Sequence, residues 1–88
     1  MLLGWRGELM TLSIRVQDIL AERSKSGELK LNMPFEPGMV AGDVVTREGF
    51  SGAEAEAIVV MVNAEQATKE TPLSDGDNVE LVTQMVGG

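Results

Sequence analysis

The sequence contains no cysteine and no histidine. Disulfides, thiol nucleophiles, imidazole bases and soft metal sites are therefore excluded from its side-chain chemistry. Aromatic residues are almost as scarce, with Trp5, Phe35 and Phe50 and no tyrosine. That is too few for the stacking platform that binds single-stranded nucleic acid. No apolar run approaches the roughly 20 residues of a membrane span, and Met1-Leu2-Leu3-Gly4-Trp5-Arg6 meets charge too early for a signal peptide. These absences predict a cytoplasmic protein with no membrane partner. Positive charge is also short: 14 acidic against 7 basic side chains give a net charge of −7. The deficit is lopsided, since residues 1–35 carry five basic and four acidic side chains and residues 36–88 carry two and ten. Such a surface repels phosphate backbones, which argues against nucleic acid, and it favours encounter with a basic partner surface.

What is present is enough for one small domain. Eighty-eight residues rich in Val, Ile, Leu and Met suffice for a single unstapled core if the packing is good. Met10 stands just before the first regular pattern, so residues 1–9 are expected to be a disordered leader, residues 10–86 the domain, and residues 87–88 a tail. From Thr11 to Val16 the apolar residues alternate, which predicts a half-buried strand with Leu12, Ile14 and Val16 inward and Ser13 and Arg15 outward. Ile19 and Leu20 break the alternation and predict a helical turn over a sheet edge. A polar loop, 21–27, leads to a second alternating run, Glu28 to Met33, with Leu29, Leu31 and Met33 inward.

Pro34, Pro37 and Gly38 end that strand, because proline donates nothing to a ladder. From Met39 to Glu48 the period changes to helical, with Val40, Val44 and Val45 on one face, Asp43, Arg47 and Glu48 outward, and Gly49 at the C′ position. Three valines and Gly42 make this a poor helix by propensity, so packing onto a sheet must hold it. Phe50 is expected to plug the core. Ser51-Gly52-Ala53-Glu54 has capping-box spacing for a turn over 53–57. Ile58-Val59-Val60-Met61-Val62 is the strongest strand, apolar on both faces and so interior to a sheet. One helix covers only one face, which leaves Met61 and Val59 as candidates for a docking surface. Asn63-Ala64-Glu65 is a turn into a minimal return strand at 66–68. Thr71-Pro72-Leu73 tucks Leu73 inward, and Asp75-Gly76-Asp77 reverses the chain into a last strand, Asn78 to Thr83. A right-handed crossover then places the first and last strands parallel and adjacent at the centre. Asp75, Asp77 and Glu80 do not match a Ca²⁺ loop and are expected to be a solvated turn.

After that strand come Gln84-Met85-Val86 and a closing Gly87-Gly88. A terminal Gly-Gly arises by chance in roughly one chain in two hundred at ordinary glycine usage, so its setting must carry the argument. Residues without Cβ allow close backbone approach, as a carboxylate threading into a partner's nucleotide site requires.

The strand and turn Val60-Met61-Val62-Asn63, the segment Thr71-Pro72-Leu73-Ser74-Asp75-Gly76-Asp77-Asn78-Val79-Glu80-Leu81 and the terminal glycines together resemble the ubiquitin-like β-grasp sulfur carriers. That family includes the small subunit of molybdopterin synthase and the thiazole-forming carrier of thiamine synthesis (the MoaD/ThiS type). The similarity runs over about residues 10–88 and departs at Ala64, where glycine is usual, and at Thr83 to Val86, where the molybdopterin carriers often have prolines. The resemblance implies an α+β fold, a ubiquitin-like β-grasp with a mixed sheet of about five strands and one short helix on one face. It implies a carrier and not an enzyme. An adenylyltransferase of the ubiquitin-activating kind would use ATP to convert Gly88 to an acyl-adenylate, and a sulfur donor would then leave a thiocarboxylate there. Gly87, Val86 and Met85 would form the inserted tail, no cofactor would be bound, and a larger synthase subunit is a further implied partner. Molybdopterin or tungstopterin synthesis is the favoured destination, because the connections at 21–27 and 49–56 fit the larger carriers. Thiamine thiazole formation remains open, as do a protein modifier that forms isopeptide bonds through the same glycine and a plain interaction domain.

Overall fold

The computed structural model describes residues 10–83. The expected leader, 1–9, and the tail residues Met85, Val86, Gly87 and Gly88 lie outside them. The described elements are β1 (Thr11–Val16), α1 (Asp18–Ala21), β2 (Lys30–Pro34), α2 (Ala41–Arg47), α3 (Gly52–Glu56), β3 (Ile58–Val62), β4 (Glu65–Ala67) and β5 (Asn78–Thr83). The strands form one mixed sheet in the order β2-β1-β5-β3-β4. β1 and β5 run parallel, with Ser13 opposite Asn78 and Val16 opposite Leu81, and the other three pairings are antiparallel. The parallel pair at the centre is thus as expected from the crossover argument. The expected helix forms as α2, and the two expected helical turns form as the short segments α1 and α3.

The period of two in β1 and β5 sorts their side chains cleanly. Leu12, Ile14, Val16, Val79 and Leu81 face the core with Ile58 and Val60 of β3, all nearly inaccessible, and Phe50, just past α2 in sequence, is buried in the same cluster. β2 follows the pattern only in part. Met33 is buried and Leu31 half-buried, but Leu29, expected inward, is 52% exposed. The helices pack over β5 and β3, so this outermost strand outruns its cover toward Leu29. Pro34 sits where its missing N–H costs nothing, because Phe35 N–H and Val16 N–H bond across to Met10 and Leu29 and the alternating ladder turns Pro34 to the free edge.

Tertiary contacts hold α2 together. Gly42, Val44, Val45 and Thr46 cost about 3 kcal/mol in propensity relative to alanine. Burial of Val44 and Val45 returns about 3 to 6 kcal/mol. The strap 69–73 supplies the rest: Ala41 N–H donates to Thr71 O and Gly42 N–H to Lys69 O, satisfying two donors at the helix start. Asp43 does not simply face water, since its Oδ2 accepts the Val40 N–H at 2.8 Å. A Cβ on Gly42 would stand 3.1 Å from Lys69 O, so the strap's close approach explains a glycine that helix propensity disfavours. Gly49, at φ 91°, ends the helix in the left-handed region as expected.

Glu48 corrects the sequence reading. Expected outward, it is 2% exposed. Its backbone carbonyl accepts the Lys25 N–H, and its Oε1 accepts the Ser26 N–H at 3.3 Å. The loop after α1 folds over the end of α2 and needs an acceptor there, which helical periodicity cannot reveal. α3 forms as expected, but Ser51 makes no side-chain cap bond. The segment is held instead by the Arg23–Glu54 ion pair and by Lys69 Nζ, which donates to Ala55 O at 2.9 Å.

Candidate docking face and tail root

With the helices on one side, alternate residues of β1, β5 and β3 stand on the open face. The register sets them in rows: Lys30, Arg15, Glu80, Met61 and Gln66 across all five strands, and Val82 opposite Val59 between β5 and β3. Opposed side chains in a sheet lie about 5 Å apart. Val59, Met61 and Val82, each half-buried, therefore make one small apolar patch. Met61 and Val59 were expected on this face; Val82 was missed, although its parity with Glu80 and its position opposite Val59 follow from the register. On the other half of the face, Arg15, Lys30, Asn32, Asn78 and Glu80 are among the residues that line a shallow trough of about 820 Å³.

β5 is the middle strand and its last described residue is Thr83, next to Val82. The apolar patch and the root of the tail thus share one end of the sheet. Thr83 N–H is bonded to the Gln17 side chain at 2.7 Å; composition and periodicity gave no signal for this residue. The proposed working group, Gly88, and the insert residues Gly87, Val86 and Met85 lie beyond the described residues.

The acidic turn is occupied with its own backbone. Asp75 Oδ1 accepts the Thr11 N–H, Asp77 Oδ2 the Ser74 N–H, and Asp77 Oδ1 the Asn63 amide. These carboxylates shape the entry to β5. Among the described residues, no three His, Cys, Asp or Glu side chains gather as a metal site, and no helix is long and apolar enough to cross a membrane.

A five-stranded mixed sheet with central parallel β1 and β5 and short helices on one face is the ubiquitin-like β-grasp. The profile of the ThiS family matches residues 9–88, and the chain belongs to that family. No match was found among curated proteins. Among solved structures, the chain is similar to small archaeal modifier protein 1 from Haloferax volcanii, with 17% identity, TM-score 0.69 and coverage of 85% of this chain and 98% of that one. It is also similar to a Pyrococcus furiosus protein assigned as molybdopterin converting factor, subunit 1 (16%, 0.64, 86% and 99%). A third is the ubiquitin of Caldiarchaeum subterraneum (18%, 0.58, 90% and 98%). At these identities the likeness is one of fold.

Proposed function

We propose that the chain is a cytoplasmic sulfur carrier that reacts through the carboxylate of Gly88. The observation that carries this reading is the placement of the tail root: the central strand delivers Thr83 beside the Val59–Met61–Val82 patch, on a scaffold whose family is ThiS. A partner that grips the patch receives the tail. Five residues follow Thr83, a reach of about 17 Å when extended, and glycines at 87 and 88 pass a narrow channel without a Cβ to obstruct it.

The chemistry follows from the poor electrophilicity of a carboxylate. One carboxylate oxygen of Gly88 attacks the α-phosphorus of ATP in the partner's site and displaces pyrophosphate. A persulfide then adds to the acyl carbon and AMP leaves. Cleavage of the sulfur–sulfur bond by a thiol gives the thiocarboxylate and a disulfide. The carrier has no cysteine or histidine for any of these steps, so the adenylyltransferase and sulfur donor supply the catalytic groups. Molybdopterin or tungstopterin synthesis, with a larger synthase subunit as acceptor, is favoured by the likeness to the Pyrococcus protein; thiazole formation is the alternative destination.

A second reading is favoured by the likeness to small archaeal modifier protein 1: the same acyl-adenylate is passed to a lysine amine, forming an isopeptide bond. One experiment separates the two. The protein is incubated with an activating enzyme, ATP and sulfide, and its C-terminal peptide is weighed. A gain equal to sulfur minus oxygen supports the carrier; Gly88-linked adducts on other proteins support the modifier; neither product rejects both.

A further inference from the structure

We propose that Gln17 is a positioning residue for the reactive tail, its side-chain carbonyl holding Thr83, the last described residue of β5, in the sheet. The inference rests on the proposal that the tail reacts, and it begins from a gap in the ladder. In parallel pairing, one residue donates its N–H to a carbonyl on the neighbouring strand and accepts, through its own carbonyl, the N–H two residues further along. Gln17 follows the first half of this rule, donating to Leu81 O at 3.0 Å. Its backbone carbonyl is the natural acceptor for Thr83 N–H. That carbonyl is diverted, because the chain turns into α1 at this point and the oxygen accepts the Leu20 and Ala21 N–H groups at 2.9 and 2.8 Å.

The side chain fills the vacancy. Gln17 Oε1 accepts Thr83 N–H at 2.7 Å, between residues 66 positions apart in sequence. The alternation of the antiparallel β3–β5 ladder turns the Thr83 N–H away from β3: Asn63 N–H bonds to Asn78 O on that side and Gln17 N–H to Leu81 O on the other. Thr83 therefore depends on Gln17 for its last rung. Without it the strand frays back toward Val82, adding about 3.5 Å of slack per released residue. The segment beside the docking patch then has to be ordered again in each productive complex. That cost falls on binding and leaves the chemical step alone, so it belongs in KM and not in kcat.

The test uses the full chain with two substitutions. Gln17→Leu keeps the bulk and removes the acceptor; Gln17→Glu keeps an acceptor. Amide exchange by nitrogen-edited NMR reads the bond without any partner: Thr83 exchanges about fivefold faster in Q17L, the factor that one net hydrogen bond provides, while Val60 and Leu81 are unchanged and Q17E behaves as wild type. ATP–pyrophosphate exchange with the activating enzyme reads the function: KM for the carrier rises about fivefold in Q17L at unchanged kcat, and Q17E restores it. Unchanged Thr83 exchange in Q17L overturns the anchor. Faster exchange with unchanged KM, or an equal fall in kcat, overturns the positioning role. If wild type itself supports no pyrophosphate exchange, the proposed function fails and the positioning role with it, while the Thr83 exchange rates still report on the bond.

Discussion

Asn63 and Asp77 close the end of the sheet opposite the tail root: Asn63 Nδ2 donates to Asp77 Oδ1 at 3.0 Å, while Asn63 Oδ1 accepts the Asn78 N–H at 3.0 Å. This amide ties the β3–β4 turn to the start of β5. Both Asn63 (φ 51°) and Ala64 (φ 71°) lie in the left-handed region, as two-residue hairpins require. Asparagine tolerates that conformation and alanine does not.

Replacing Ala64 with glycine is accordingly expected to stabilise the protein by about 1 kcal/mol. Urea unfolding of A64G reads the change directly. A lower midpoint at unchanged slope would mean that the turn carries no strain.

Glu48 is expected to act as an acceptor for the loop over α2. Glu48→Ala leaves the Ser26 N–H without it and costs about 2 kcal/mol, whereas Glu48→Gln retains an acceptor and stays within about 0.5 kcal/mol of wild type. Thermal denaturation of the pair decides the matter. If both variants melt together with wild type, the loop owes nothing to this side chain.

The half-exposed patch is expected to govern partner binding more than folding. Met61→Asp and Val82→Asp each place a charge in a surface that a partner must desolvate, lowering affinity by at least about tenfold. Titration calorimetry against the activating enzyme measures the loss, with circular dichroism confirming the fold. Retained affinity in both variants would move the docking surface off this face.

Activation is expected to require a free Gly88 carboxylate. A semisynthetic chain ending in a carboxamide, or one lacking Gly87 and Gly88, should support no ATP–pyrophosphate exchange. Exchange by either at the wild-type rate refutes the carboxylate as the reacting group.

The strands were legible because burial in a sheet has a short period. Leu12, Ile14 and Val16 alternate with Ser13 and Arg15, and the sorting survives in the fold. The tucked Leu73 and the buried Phe50 were legible too, from the turn residues and helix end beside them. Glu48, Leu29 and Gln17 were not. Each depends on what another segment covers, or fails to cover, at long range: the loop at 24–27 over Glu48, the end of the helical layer short of Leu29, and the last rung of β5 beside Gln17.

By itself, then, the sequence determined the alternating strands, the turn chemistry that joins them and the absence of thiol and imidazole side chains, and it nominated Gly88 as the candidate acyl end, because these depend on residue type and local spacing. Tertiary structure alone decided that Val82 joins Val59 and Met61 on the open face, which carboxylate is buried and which side chain holds Thr83. The physical reason is that register and layer coverage bring together groups dozens of residues apart, and no local pattern encodes that distance.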